Sequence, residues 1–234
     1  MSRSVDIVST RKLTSDKVAE LQAKGWKFTD HDFISKVIEI PSDLRAQSIH
    51  QHVALTSITG VKAFLQIANQ LHLNYSNYTV YCISRGTSEY AIASGLNVKS
   101  TAVNASMLAD EILNDAAVKE VTHVCNNLRR DELSNKLIKA GVVIQDVIAY
   151  QTKFTPVAID PSYDALVFFS PSAVDSFLSL NPFQQVPCFC IGQTTADHAK
   201  QKGYQRTYIP DAPSEAILLQ TIVNHYSKST HVKE

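Results

Sequence analysis

The sequence has few glycines and lacks the glycine patterns that bind nucleotides. Only seven glycines occur among 234 residues. None of them forms the Gly-x-Gly-x-x-Gly fingerprint or a phosphate-binding loop. Serine, histidine and aspartate do not follow one another in a hydrolase-like order, and no paired-carboxylate motif is present. The sequence therefore argues against a dinucleotide-binding enzyme and gives no sign of a hydrolase.

Net charge is also lacking, because 22 lysines and arginines balance 22 aspartates and glutamates. This balance argues against a nucleic-acid binder or a polybasic protein of the membrane surface. No apolar run is long enough to span a bilayer, and no signal-peptide pattern follows Met1. These absences predict a cytoplasmic protein whose partners include neither nucleic acid nor membrane.

The cysteines and histidines show no metal-binding pattern. The four cysteines lie in or beside apolar runs, so we expect buried, reduced thiols: Cys82, Cys125, Cys188 and Cys190. The last two would share one face of a strand, but no second ligand pair has the spacing of a zinc site. The pair His50-x-His52 is a similarly weak signal, and a surface pair is the favoured interpretation. The sequence predicts no metal site.

Strand-like and helix-like segments alternate along the chain. Strand-like runs recur at 5–9, 26–28, 36–40, 53–56, 79–84, 121–125, 142–150, 165–169 and 186–191. Segments with helical periodicity follow most of them, at about 15–24, 60–71, 87–95, 106–114, 131–139, 173–178, 196–203 and 214–226. This alternation predicts an α/β fold with parallel sheets.

The stretch 165–178 joins a strand, a hydroxyl-bearing turn and a helix. Its apolar run ends at Phe169, and Val174 and Phe177 mark one face of the helix. Between them Ser170 and Ser172 flank a proline, and Ser172 is the predicted N-cap. A helix start offers free backbone N–H groups at which an anion can bind. The alternative is that both serines only cap the turn.

The chain repeats itself. Residues 53–65 correspond to 166–178, with Ser57 matching Ser170. Residues 82–106 correspond to 190–214, and residues 8–34 correspond to 124–150, with Ile34 matching Tyr150. We call 8–34 segment A, 53–106 segment B, 124–150 segment A′ and 166–214 segment B′. The order A–B–A′–B′ predicts a duplication that yields two similar α/β units.

Each predicted unit has two turns with hydroxyl side chains after its strands. Parallel α/β sheets bind ligands at the carboxyl ends of their strands, where these turns would lie. Helix N-termini there would supply free N–H groups. A cleft between the units would suit a ligand with several carboxylates or phosphates. Its candidate binding residues are Ser57, Thr87, Ser170, Ser172, Thr194 and Thr195.

Three motifs in this order resemble the uroporphyrinogen-III synthase family. They are Tyr150-Gln-Thr152, Phe169-Ser-Pro-Ser172 and Ile191-Gly-Gln-Thr-Thr-Ala196. The order and spacing fit the family from about residue 7 to 222, and Arg130-Asp-Glu-Leu133 fits its Arg-x-x-Leu motif. A glycine common just before that motif is absent, and Cys125-Asn-Asn127 stands there instead.

The resemblance implies two similar flavodoxin-like α/β domains joined by a two-stranded ladder. The first domain would comprise residues 1–36 and 158–234, and the second 42–149. The connecting strands would be 37–41 and 150–157. Segment A would join B′ in one domain, and B would join A′ in the other. We expect two lobes with few mutual contacts and a variable angle between them.

The resemblance also implies a reaction without a cofactor. Hydroxymethylbilane, a linear tetrapyrrole with eight carboxylates, would lose water to give an azafulvene. Ring D would attack it through its substituted carbon, and a spiro intermediate would fragment and reclose to give uroporphyrinogen III. The protein would mainly hold the chain ends for one closure. The family implies a monomer, with the preceding pathway enzyme as a candidate transient partner.

Tyr150 is the predicted catalytic side chain, because it ends an apolar strand and the family places a tyrosine there. A phenol with its usual pKa near 10 stays protonated at neutral pH and can assist loss of the hydroxyl group. The alternative is a packing residue between the lobes. Arg11, Arg85 and Arg130 are candidate carboxylate ligands, although a solvated surface charge is the favoured interpretation for each.

Two other functional classes remain open from sequence. A two-lobed protein that only binds a carboxylate- or phosphate-rich ligand would not need Tyr150, but in its usual secreted form it would carry a signal peptide. A pair of flavodoxin-like signalling domains would need an acidic phosphoacceptor pocket, and none stands out near the strand ends.

Overall fold

The computed structural model describes residues 4–14, 16–128 and 131–228. The chain forms two compact units, which we call unit 1 (Met1–Ser35 with Lys153–Glu234) and unit 2 (Lys36–Thr152). The predicted connecting strands 37–41 and 150–157 and the variable angle between lobes stay predictions.

Strands and helices alternate throughout the described residues. Unit 1 begins with β1 (Asp6–Ser9), α1 (Asp16–Ala23) and β2 (Lys27–Asp30). The chain then enters unit 2 through β3 (Ile34–Ile38) and continues with β4 (His52–Leu55), α2 (Ile58–Gln70), β5 (Thr79–Ile83), α3 (Arg85–Ala93), β6 (Asn97–Ala102), α4 (Ala105–Leu113), β7 (Glu120–Asn126), α5 (Glu132–Lys139) and β8 (Val143–Phe154). It returns to unit 1 for β9 (Ala165–Phe168), α6 (Pro171–Leu178), β10 (Cys188–Cys190), α7 (Gln193–Gln201), β11 (Thr207–Tyr208) and α8 (Glu215–Lys228).

The two sheets have the same strand order when they are matched through the repeat. The sheet of unit 1 runs β11-β10-β9-β1-β2, and that of unit 2 runs β6-β5-β4-β7-β8 with β3 added at its edge. In both series neighbouring strands are parallel. The predicted α/β fold with parallel sheets is confirmed, and the strands of A share a sheet with those of B′.

Matched glycines end helices in both units. Gly25 and Gly141 have φ of 85° and 83°, and Gly95 and Gly203 have φ of 83° and 105°. Each pair occupies the same position in the repeat. A side chain would strain this left-handed backbone, and a glycine just after a helix lets the chain turn into the next strand.

The cores lie on both faces of each sheet, because the central strands are buried on both sides. In unit 2, Val53 and Leu55 pack with one cluster, while Ala54 packs with another. In unit 1, Leu166 and Phe168 face one cluster, and Ala165 and Val167 face the other. A strand that is buried on both faces has a continuous apolar sequence, and for this reason these central strands could be predicted from the sequence.

Several predicted details were wrong. Ser170, not Ser172, is the N-cap of α6: its backbone is extended and its Oγ accepts a hydrogen bond from the Ala173 amide at 3.2 Å. Pro171 is the first helical residue, a position that proline favours because its missing N–H is not needed there. The short strands β6 and β11 were not predicted. α7 begins at Gln193 rather than Ala196, and β8 continues to Phe154.

The four cysteines are buried and free of disulfides, as predicted. Burial raises the pKa of the Cys82 thiol to about 11 and that of Cys190 to about 12. Both thiols are therefore protonated at neutral pH. Within the described ranges, we find no helix that combines the length and the apolar character needed to cross a membrane.

Candidate functional site

Two hydroxyl turns of unit 2 lie side by side because they follow neighbouring parallel strands. β4 and β5 pair with Leu55 opposite Cys82, so Ser57 and Thr87 both follow the carboxyl end of the sheet. Ser57 is the N-cap of α2, and its Oγ accepts a hydrogen bond from the Gly60 amide at 3.1 Å. The Ser57 hydroxyl therefore already accepts one hydrogen bond from the first turn of α2.

Ser57 also contacts Tyr150. The Ser57 Oγ lies 2.9 Å from the phenolic oxygen, across 93 residues of sequence. Tyr150 is only 3% exposed, whereas Ser57 is partly exposed. The pair therefore marks the boundary between the core and the carboxyl edge of the sheet.

Gly60 leaves room for this pair. A Cβ at Gly60 would lie 3.2 Å from the Val124 carbonyl oxygen, 3.7 Å from the Ser57 Oγ and 3.8 Å from Cε1 of Tyr150. The first of these distances is tight and the others are ordinary contacts. The absence of a side chain at Gly60 therefore allows close approach of α2 to β7 beside the phenol.

An irregular register directs Tyr150 toward α2. Along β7 and β8, Cys125 pairs with Ile148 but Asn126 pairs with Tyr150, so one residue of β8 is extra. Ala149 and Tyr150 are consequently both buried and pack in the same core cluster. Such bulges commonly re-aim a side chain beside a functional site.

The surroundings of the phenol favour its protonated form. Burial raises the pKa of Tyr150 above its ordinary value, and a hydrogen bond from Ser57 acts in the opposite direction. The result is a neutral phenol at physiological pH whose oxygen is held by a neighbouring hydroxyl. This is the state that a hydrogen-bond donor or general acid needs.

The second turn of unit 2 contains an unusual backbone conformation. Ser84 has φ 69° and ψ 147°, a combination that residues with a side chain seldom adopt. Its amide donates to the Ala102 carbonyl at 2.8 Å, which holds it at the sheet edge. Its Oγ accepts from the Thr87 amide at 3.4 Å and lies 3.1 Å from the Thr87 hydroxyl. Thr87 is 4% exposed, so Ser84 already occupies much of its hydrogen-bonding capacity.

The two asparagines that replace the expected glycine hold Thr152. Asn126 Nδ2 donates to the Thr152 Oγ1 at 3.3 Å, and the Thr152 amide donates to Asn127 Oδ1 at 3.0 Å. Thr152 follows Tyr150 by two residues in the Tyr-Gln-Thr motif. Asn126 and Asn127, which stand where the resemblance leads us to expect a glycine, therefore hold in place the strand that carries Tyr150.

The matching turns of unit 1 also follow neighbouring strands, β9 and β10. Ser170 caps α6, and its Oγ lies 3.1 Å from that of Ser172. Thr194 is exposed and Thr195 is 3% exposed. Gly192 stands at the N-cap of α7, where no side chain among the described residues caps the first turn. Thr194 is thus better placed than Thr195 to contact a solute at this helix start.

The candidate arginines have acidic partners or fall outside the described residues. Arg11 donates to Glu215 at 2.6 Å and lies 3.7 Å above the Phe169 ring. Arg85 donates to Glu89 at 2.6 Å with its side chain 91% exposed. An exposed pair such as Arg85–Glu89 contributes little and can exchange partners. Arg130 lies outside the described residues.

Sequence reasoning missed two features of this edge. Asn104 caps α4 by accepting from the Met107 amide at 2.9 Å, and an asparagine before a helical segment was an available signal. The contact between Ser57 and Tyr150 had no sequence signal. Whether the turns of both units face one cleft stays a prediction.

Comparisons with solved structures find the same fold in other proteins. The chain resembles the uroporphyrinogen-III synthetase of Helicobacter pylori with a TM-score of 0.70 and 18% identity, covering 94% of this chain and 99% of that one. A mutant uroporphyrinogen III synthase from the extremely thermophilic bacterium Thermus thermophilus gives a TM-score of 0.70 at 14% identity, covering 96% and 100%. The wild-type Thermus protein in another crystal form gives 0.54 at 15% identity, covering 97% and 100%.

Sequence comparison identifies the family. A comparison with curated proteins finds no match. The family described as uroporphyrinogen-III synthase HemD, however, matches residues 16–220, which is most of the chain. This range includes the Ser57 and Ser170 turns and the strand that carries Tyr150. The chain therefore belongs to the uroporphyrinogen-III synthase HemD family.

Proposed function

We propose that this protein is a carbon–oxygen lyase that cyclises hydroxymethylbilane to uroporphyrinogen III, with inversion of ring D and loss of one water molecule. Membership in the family supports an enzyme of haem biosynthesis. The observation that carries the catalytic assignment is the hydrogen bond between Ser57 and Tyr150 at the carboxyl edge of the unit 2 sheet. Nothing in the structure favours a protein that only binds its ligand.

Tyr150 acts on the first step. Its phenolic O–H donates to the hydroxyl group of the substrate, whose carbon–oxygen bond breaks. That hydroxyl leaves as water with the phenolic proton, and the lone pair of the pyrrole nitrogen forms the azafulvenium cation while Tyr150 becomes a phenolate. After ring D has closed the macrocycle, the proton lost on rearomatisation restores the phenol. The buried, protonated state of Tyr150 suits this role.

Ser57 supports the phenol through a directed chain of hydrogen bonds. The Gly60 amide donates to the Ser57 Oγ at 3.1 Å. We assign the Ser57 hydroxyl as the donor to the Tyr150 oxygen 2.9 Å away, because the phenol must keep its own hydrogen for the substrate. The phenolic hydrogen is then directed to the substrate, and each donor in such a chain polarises the next.

The remaining turns bind the substrate carboxylates. In unit 1 the start of α7 has a glycine N-cap, and Thr194 beside it is exposed. Ser170 and Ser172 form a hydroxyl pair at the start of α6. Backbone amides at helix starts bind anions without added positive charge, which fits the neutral composition. The other proposed contacts come from Thr87, Thr195, Arg11 and Arg130.

The isomers formed from the substrate test this function. The preceding pathway enzyme would generate hydroxymethylbilane in the cuvette, and the products would be oxidised and separated into type I and type III porphyrins. We expect a large excess of the type III isomer, whereas a blank without this protein gives type I by spontaneous closure. Substrate binding with type I product at the blank rate would instead indicate a binding protein and contradict the proposal.

A further inference from the structure

A group of three potential metal ligands, two of them buried, lies on β7 and β8 and takes no part in the proposed reaction. His123 and Cys125 are two residues apart on β7, so their side chains share one face of the sheet. Asp146 on β8 is directly opposite His123 in the parallel register. One ligand atom from each residue lies within 4.8 Å of the other two.

The hydrogen bonds around this group orient its members. His123 Nδ1 lies 2.9 Å from the Asp146 Oδ1, and the Ser134 hydroxyl donates to both Asp146 oxygens at 3.2 and 3.3 Å. His123 is 3% exposed, and its Nε2 has no hydrogen-bond partner among the described residues. A carboxylate oxygen accepts from Nδ1–H, so the lone pair lies on the buried Nε2, and a buried ring nitrogen without a partner is uncommon.

We propose that His123, Cys125 and Asp146 bind one zinc ion, with water as the fourth ligand. A nitrogen, a sulfur and a carboxylate oxygen form a donor set that suits zinc and tends to exclude magnesium and calcium. Zinc bonds of about 2.0–2.3 Å place tetrahedral ligands roughly 3–4 Å apart. A pair of ligand atoms at the 4.8 Å limit would therefore have to approach by about 1–2 Å on binding.

The surroundings supply the other requirements of a metal site. Ser134 donates to the carboxylate, as partners of metal-ligating carboxylates commonly do. The Asp146 side chain is 19% exposed, so water and the ion can enter past it. On binding, Cys125 loses its thiol proton to water, because the thiolate is the ligand form. The ion would tie β7 to β8 four residues before Tyr150 and stabilise unit 2.

Cobalt titration of the full-length protein tests the site, because Co²⁺ replaces Zn²⁺ and is coloured. We expect one Co²⁺ per chain, intense visible bands typical of four ligands, and a near-ultraviolet band from thiolate to cobalt. Added Zn²⁺ should abolish the visible bands and the near-ultraviolet band, and it should raise the midpoint temperature of thermal unfolding. These readouts do not depend on catalytic activity, so they can fail while the proposed function stands.

Two variants and a matched control locate the ion. Cys125→Ser should abolish the thiolate band, and the nearly isosteric Asp146→Asn should keep it but weaken Co²⁺ affinity by about tenfold or more. Cys82→Ser removes another buried thiol of unit 2, one that belongs to no such ligand group within the described ranges, and should leave the spectrum unchanged. Absence of binding, or a spectrum without a thiolate band, would overturn the proposal. So would Asp146→Asn binding with wild-type affinity.

Discussion

Ser57 and Ser170 occupy the same place in the two units, but within the described part of the chain only Ser57 is hydrogen-bonded to a tyrosine. Their backbone angles are nearly identical, with φ/ψ of −160°/159° and −162°/159°. Each accepts a hydrogen bond from the amide three residues on, at 3.1 and 3.2 Å. The Ser57 Oγ then lies 2.9 Å from the phenol of Tyr150, whereas that of Ser170 lies 3.1 Å from Ser172.

The residues around these two serines differ in a consistent way. Tyr150 corresponds to Ile34 in the repeat, and Gly60 corresponds to Ala173. The phenol and the missing side chain that gives it room therefore occur in the same unit. The duplicated fold accounts for the serine cap, and the catalytic assignment depends on the two positions at which the copies diverged.

Replacing Tyr150 with phenylalanine should have the largest effect. Loss of a positioned general acid typically costs about 10²–10⁴-fold in rate, so kcat should fall within that range with KM nearly unchanged. The measurement is the steady-state rate of type III isomer formation. Tyr163→Phe is the matched control, since the Tyr163 hydroxyl is buried and has no hydrogen-bond partner within the described ranges. If Tyr150→Phe and Tyr163→Phe have equal kcat, Tyr150 is not the catalytic general acid.

Alanine at the two matched serines should separate capping from catalysis. Ser57→Ala and Ser170→Ala each remove an N-cap, so each should lower the free energy of unfolding by about 1 kcal/mol. Only Ser57→Ala also removes the partner of Tyr150, and its kcat should fall by about tenfold. Denaturant unfolding and initial rates on both variants make the comparison. Similar losses of kcat in the two variants would show that the contact with Tyr150 gives Ser57 no catalytic role of its own.

Exchanging the small residues after the caps should have a smaller effect. Gly60→Ala gains about 1 kcal/mol of helix propensity but crowds the Val124 carbonyl at 3.2 Å, so stability should change little. The shift of α2 should lower kcat by less than about tenfold through Tyr150. Ala173→Gly should cost about 1 kcal/mol of stability and leave kcat unchanged. Unaltered kcat in Gly60→Ala would show that the phenol does not need this space.

Alkaline pH should weaken both units to a small extent. Burial raises the pKa of Tyr81 in unit 2 and of Tyr163 in unit 1 to about 12. The folded-state pKa of these tyrosines is above the unfolded value of about 10, so between pH 10 and 12 they ionise in the unfolded chain before they ionise in the fold. Their contribution to the free energy of unfolding is therefore fully present below pH 10 and is lost as the pH rises toward 12. Unfolding free energies should therefore stay level from neutrality to about pH 9 and then fall. The decline should be shallower in Tyr163→Phe, and an equal decline would exclude this tyrosine as a source.

Local signals in the sequence predicted the alternation of strands and helices, the repeat and the equivalence of Ser57 and Ser170. Proline at position 171 also marked the true cap of α6, although Ser172 was preferred. The contact between Ser57 and Tyr150 could not be predicted, because it depends on an extra residue in the register of β7 and β8. Nor could the positive φ of Ser84, since glycine is the residue expected there and the matching Gly192 is extended instead.

A double-mutant cycle on kcat tests most directly whether Ser57 and Tyr150 act as one unit. It compares the wild type, Ser57→Ala, Tyr150→Phe and the double variant in the rate of type III isomer formation. If Ser57 acts through the phenol, the double variant should turn over at about the rate of Tyr150→Phe alone, because the serine has nothing left to support. If the two losses multiply instead, the residues act independently and the shared role assigned to them is wrong.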